Sequence, residues 1–232
     1  MKRFNESFKV LSLICAFVTL TIIAGCKSDD VVAPQSDNLD VSMMSSPGVS
    51  DNPTANALVL DSVKILLKDI KLNVSSASDD SVNFKTGPFV LKLNLNSSVN
   101  VITTAYIPTG TYNKVMFEIH KLEDSETIGI DTAFSFGGGR YSVVVYGKFN
   151  LVPFIYRSSK SAKQKVNFNP AVTVTSTTKS NITLKVQPYT WFWTGSDYLD
   201  PLNVSNQNDI DNKIKASFKA IKDDDHNGIE DN

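Results

Sequence analysis

Apolar and polar residues alternate with a period of two along most of the chain. Phe89, Leu91, Leu93 and Leu95 alternate with Lys92 and Asn94, which describes a strand with one face in water. Val115, Phe117 and Ile119 alternate in the same way with Lys114, Met116, Glu118 and His120. Between these two runs lies Val99 to Ile107, followed by a turn at Pro108-Thr109-Gly110. Val63, Ile65 and Leu67 alternate, then Ile70, Leu72 and Val74. Lys64 and Lys68 at i, i+4 keep a helix open there, but the second alternation favours strands. Tyr141, Val143 and Val145 follow the Gly137-Gly138-Gly139 break, which has no Lys-Ser/Thr after it and reads as a loop. Phe154 with Tyr156, Val166 with Phe168, Val172 with Val174, and Ile182 with Leu184 and Val186 complete the series. About eight or nine short strands between polar, Gly or Pro turns predict a sandwich rather than a βαβ fold. The period changes near the end, where Ile210, Ile214, Phe218 and Ile221 are spaced for one apolar stripe on a helix over about 208–222. Asn208 or Asp209 can cap its start. The expected fold is mainly β: an antiparallel β-sandwich over 55–196, then an acidic extension, 197–232, with one C-terminal amphipathic helix.

Composition narrows the chemistry. Hydrophobic residues make up 41% of the 232, enough for a sizeable core. Lys+Arg number 23 against 24 Asp+Glu, so no basic field points to nucleic acid as a partner. The body is mildly basic and both flanks are acidic. Two Cys and two His exclude a disulfide framework and a zinc finger, so packing alone must hold the sandwich.

The N-terminus reads as an address. Lys2, Arg3 and Lys9 precede an apolar run from Val10 to Ile23, too short to span a bilayer as a helix, and then Ile23-Ala24-Gly25-Cys26. Residues 1–25 are read as a signal peptide. The small residues before Cys26 resemble the lipobox of bacterial lipoproteins. That resemblance implies that Cys26 is acylated, with palmitate among its chains, and becomes the mature N-terminus, a lipid anchor in the bacterial outer membrane. Lys27-Ser28-Asp29-Asp30 is similar to the acidic signal of surface-exposed lipoproteins of the Bacteroidetes, with the inner leaflet as the alternative. Residues 26–54, rich in Ser, Asp, Asn and Pro, are expected to form a flexible tether.

Three stretches together resemble a bacterial envelope-lipoprotein family, domain of unknown function 4382. They are Val63 to Val74, the Ile107-Pro108-Thr109-Gly110-Thr111-Tyr112 turn, and Tyr141 to Tyr156 with Gly147 and Pro153-Phe154. The resemblance covers about residues 57–190. It implies a transthyretin-like or carboxypeptidase-regulatory-like sandwich and carries no catalytic residues.

Candidate chemistry is sparse. Asp223-Asp224-Asp225-His226-Asn227-Gly228-Ile229-Glu230-Asp231 fits D-x-D-x-[DN]-G-x-x-D, a spacing that can turn several oxygens toward one hard cation. It resembles the calcium loop of thrombospondin type 3 repeats. Asp223, Asp225, Asn227 and Asp231 are then candidate side-chain ligands for calcium and Ile229 a candidate carbonyl ligand, within a loop at 223–231. The bidentate Glu of an EF-hand would fall beyond Asn232, and the alternative is a solvated acidic terminus. Trp191 and Trp193, two apart on a strand, are candidates for stacking on a glycan, or else they close the core. Glu118 and His120 share a strand face but lack a third partner. No nucleophile motif, metalloprotease motif or P-loop occurs. The expected function is that of a non-enzymatic envelope lipoprotein presenting its sandwich to a glycan or an envelope protein, or assembling by strand addition like a pilin or adhesin subunit.

Overall fold

The computed structural model describes residues 35–46, 58–75, 81–126, 129 and 131–231. Cys26, the expected signal peptide before it and the residues just after it lie outside these. The chain divides into two units, Met1–Gln35 and Ser36–Asn232, and the strands and helix lie in the second. No helix among the described residues is long and apolar enough to cross a membrane.

Among the described residues, twelve strands and one α-helix follow in order: β1 (Leu39–Ser45), β2 (Leu58–Val74), β3 (Ser81–Lys92), β4 (Val99–Ala105), β5 (Gly110–Ile119), β6 (Ser135–Phe136), β7 (Gly139–Arg140), β8 (Val143–Phe149), β9 (Val152–Ser158), β10 (Ala162–Val174), β11 (Ser180–Val186), α1 (Gln207–Ala216) and β12 (Lys219–Lys222). One sheet runs β12-β11-β1-β4. The other runs β10-β5-β2-β8-β9, with β3 also on β2, and β6-β7 is a separate hairpin. Every pair is antiparallel except β1 with β11. Val41, Met43, Ile182 and Leu184 of the first sheet share one core with Ile65, Leu67, Val115, Phe117 and Val145 of the second. The expected mainly β sandwich with a C-terminal helix is therefore what the chain forms.

Leu58 to Val74 is one long strand, not two. Its positions in the main core are Leu58 and Leu60, then Val63, Ile65 and Leu67, then Ile70 and Leu72. Each change of phase coincides with a break in register, at Leu60/Ser62 against β8 and between Lys68 and Ile70 against β3. One extra residue in a strand turns every later side chain to the opposite face, so a bulge restores the core face each time. The amide of Leu66 donates to Ser142 O and its carbonyl accepts from His120 N, both at 2.8 Å. Those two groups point to the same side of a strand. Strands β8 and β5 therefore share one edge of β2 and part company at Leu66, while β3 takes the other edge.

Two expectations are corrected. The tether does not extend to residue 54, because Leu39–Ser45 is a core strand paired on both edges, with β11 and β4. Its polar residues mask a period-two pattern: Leu39, Val41 and Met43 face the core, each contributing about 1.5–3 kcal/mol by burial. The C-terminal helix stops at Ala216 rather than about 222. Ser217 ends it, donating from its hydroxyl to Ile214 O at 2.8 Å. Phe218 and Ala220 then lie buried at strand spacing on either side of exposed Lys219, and Phe218 packs edge-on to Phe117. Near the start of β5, Tyr112 is buried and its hydroxyl donates back to Pro108 O at 2.8 Å, so the tyrosine closes the Pro-Thr-Gly turn.

Candidate ligand-binding site

The segment 120–142 joins β5 to β8 across the fork at Leu66, and its described residues, 120–126, 129 and 131–142, lie over the outer face of the second sheet. Leu66 points away from the main core and is covered by Leu122, Phe134 and Val144, which form a second, smaller core. Lys64 and Lys68 flank Leu66 on this face. Their i, i+4 spacing serves a strand, where both point the same way. Lys68 Nζ lies 3.1 Å from Glu126 Oε1, and Lys64 Nζ lies 3.2 Å from Asp131 Oδ2, so each lysine ties the segment to β2.

At the first tie, the Glu118 and His120 pairing forms and acquires the third partner that the strand pattern did not reveal. His120 is buried, with Nδ1 3.3 Å from Glu118 Oε1 and Nε2 2.6 Å from Glu126 Oε2. Burial works to raise the Glu126 carboxyl. The Glu123 amide, His120 and Lys68 outweigh it and hold the group at about 2. The bond to Glu126 in turn raises Lys68. His120, Glu123 and Glu126 have ligand atoms within 4.8 Å of one another. By donor type they suit a transition-metal cation. In this fold they are engaged with one another and with Lys68, and they fasten residues 120–126 to the sheet.

At the second tie a cavity opens. Lys64, Val144 and Arg157 form one row across β2, β8 and β9, paired Lys64 with Val144 and Val144 with Arg157. Register in β9 is set by a two-residue turn, Asn150-Leu151, with φ of 48° and 69°. Over this row sits the β6–β7 hairpin. Its two turn residues, Gly137 and Gly138, have φ of 58° and 77°, which a side chain would oppose, so the glycine run is a hairpin turn and not merely a break. The hairpin holds Phe136 beside Arg157, whose guanidinium carbon lies 4.5 Å from the Phe136 ring centre and 5.7 Å from that of Tyr141. The resulting cavity, about 570 Å³, is lined by Lys64, Asp131, Thr132, Ala133, Phe136, Tyr146 and Arg157. The Arg157 guanidinium has no hydrogen-bond or ion-pair partner among the described residues, and its Nε is buried without one. Periodicity alone does not reveal this site, because its parts are separated by as much as 93 positions, from Lys64 to Arg157. The available signal was the glycine run followed by an apolar strand.

The residues singled out as candidate ligands have other places. Asp223 is fully buried and accepts from Gly228 N at 3.1 Å and from the Thr183 hydroxyl. Asp225 accepts from Asn227 N, Asn227 Oδ1 from Ile229 N, and Asp231 from Asp224 N. The alternate-residue turns of the motif do form, but Asp223, Asp225 and Asp231 are not among the carboxylate groups that converge. The loop docks on the first sheet: the Asp223 carbonyl accepts from Asn181 Nδ2 at 2.7 Å, and Asn181 Oδ1 accepts from Ser42 at 2.7 Å. Trp191 and Trp193 do not form a platform. Pro188 opens a short 3-10 turn, Pro188–Phe192, in place of a strand. Trp191 is fully buried and donates to Ser217 Oγ at 2.7 Å, while Trp193 is half-buried and edge-on to Tyr198. Burial is the fate that closes the core.

The chain matches no family model, no curated protein and no solved structure. The resemblance to domain of unknown function 4382 rests on the three stretches named above.

Proposed function

We propose that the chain is a lipid-anchored protein of the bacterial outer membrane whose sandwich works by binding rather than by catalysis. The cavity over Lys64, Val144 and Arg157 carries this reading: it is open, preformed and lined by a guanidinium whose charge no side chain among the described residues answers. The leader and the residues around Cys26 support the anchor. Two measurements test the reading. The first is mass spectrometry of the N-terminal peptide after palmitate labelling. The second is screening of the intact, detergent-solubilised protein on a glycan array and against envelope extracts. An unacylated Cys26, or turnover of a substrate with no binding partner, would overturn it.

A second reading is assembly with further copies by strand addition. What favours it is β4, an edge strand with the sequence Val-Asn-Val-Ile-Thr-Thr-Ala. It has no charge and no proline to block pairing, and Val101 is 52% exposed. If β4 is the assembly edge, Val101→Lys abolishes polymers seen by sedimentation and negative-stain microscopy. Wild-type protein that stays monomeric at high concentration removes the reading.

A further inference from the structure

We infer that the Arg157 cavity takes an acidic sugar of the uronate class, with the carboxylate on Arg157 and the ring beside Phe136. The inference rests on the binding reading above and adds the ligand and its orientation.

Charge comes first. The cavity holds one ammonium, one guanidinium and one carboxylate. Lys64 and Asp131 answer each other at 3.2 Å, which leaves the single positive charge of Arg157. A carboxylate balances that charge, whereas a phosphate monoester carries about −1.5 to −2 and would overfill it. Geometry points the same way. The planar guanidinium fork matches a carboxylate, and the Phe136 and Tyr141 rings, 4.5 and 5.7 Å from the guanidinium carbon, hold the side chain in place before any ligand arrives. Little side-chain freedom is then lost on binding.

The rest of the lining suits a ring with many hydroxyls. Phe136 is 61% exposed, an unusual position for a phenyl ring. Tyr146 adds a second aromatic side chain, Asp131 an acceptor for sugar hydroxyls, and Thr132 a hydroxyl that both donates and accepts. A volume of about 570 Å³ falls within the range of small-molecule sites.

The test uses the full chain in detergent and isothermal titration with four probes: digalacturonate, its methyl ester, succinate and inorganic phosphate. The expected result is binding of digalacturonate, with the ester ten- to hundred-fold weaker because a charge-assisted bond is lost. Succinate and phosphate should bind more weakly than digalacturonate. Arg157→Gln should reproduce the ester's loss, and Phe136→Ala should weaken digalacturonate several-fold with its melting temperature unchanged. The ester comparison is made on wild-type protein, so it decides the matter even if Arg157→Gln fails to fold. Equal affinity for acid and ester, or tighter binding of phosphate, overturns the inference. If digalacturonate does not bind but another envelope ligand does, and Phe136→Ala weakens it, the binding reading survives and the uronate assignment falls. If no ligand of any kind binds, both fall.

Discussion

Asp69, held in left-handed backbone at φ 55°, accepts a hydrogen bond from the amide of Gly87 across the β2–β3 ladder at 2.9 Å. This contact fastens the bulge that returns Ile70 and Leu72 to the core. Asp69→Ala removes the acceptor and places a Cβ without a compensating bond in left-handed backbone. The expected loss is about 2 kcal/mol, about one from the hydrogen bond and about one from the backbone. Asp69→Asn keeps an acceptor and tolerates the same φ, so it should cost under about 0.5 kcal/mol. Urea denaturation of the two variants checks this, and equal losses would remove the bulge from the account.

That bulge also marks how far the pattern of residues could be read. The odd-numbered Val63, Ile65 and Leu67 and the even-numbered Ile70, Leu72 and Val74 are both visible in the chain. The change of parity between them is the signature of one inserted residue, and it makes a single bent strand out of what looks like two. β1 was hidden because Asp40, Ser42 and Ser45 dilute its apolar residues, and its partners β4 and β11 lie some 60 and 140 positions away. The helix end was hidden because Phe218 fits a helical stripe from Ile214 as well as a strand step to Ala220. The cavity was the least legible part, since Arg157 owes its place to register, to a hairpin turn and to a fork, all set by long-range pairing.

Asp223 has a structural task in the C-terminal loop, bracing it against Thr183 and Gly228. Asp223→Ala leaves those donors unsatisfied in a buried place and should cost about 2–4 kcal/mol. A chelator should change the melting temperature of neither wild type nor variant. A calcium-dependent rise in the wild-type midpoint that is absent in Asp223→Ala would return the loop to a metal-binding role.

Tyr156 and Asp211 form a second buried contact, between β9 and α1. The phenol donates to Asp211 Oδ1 at 2.7 Å, and Oδ2 has no partner. Burial, reinforced by the Asp211 carboxylate, pushes the Tyr156 hydroxyl above its ordinary range. Tyr156→Phe strands the carboxylate in the interior and should cost about 3 kcal/mol. Adding Asp211→Asn to Tyr156→Phe should recover part of that loss, because the uncompensated charge is gone. A double-mutant cycle in denaturant measures the coupling, and strict additivity would mean that the two residues do not share their environment.

Glu126 gives the sandwich an acid-sensitive tie. Its carboxyl is held at about 2, against an ordinary value of 4.5, by the Glu123 amide, His120 and Lys68, although burial opposes them. A carboxyl whose folded value is depressed contributes stability that is fully present above its unfolded value and is lost as pH falls toward its folded value. The window here runs from about pH 4.5 down to about pH 2. Glu126→Gln cannot take part in that titration, so it should be less stable than wild type at pH 7, and the gap should narrow through the window. Calorimetric midpoints for both proteins at half-unit steps from pH 7 to pH 2 provide the check. High salt should leave most of the effect in place, because the Glu126 and His120 side chains are 13% and 3% exposed and so poorly screened. A gap of constant size down to pH 2 would mean that Glu126 acts through its shape alone and not through its charge.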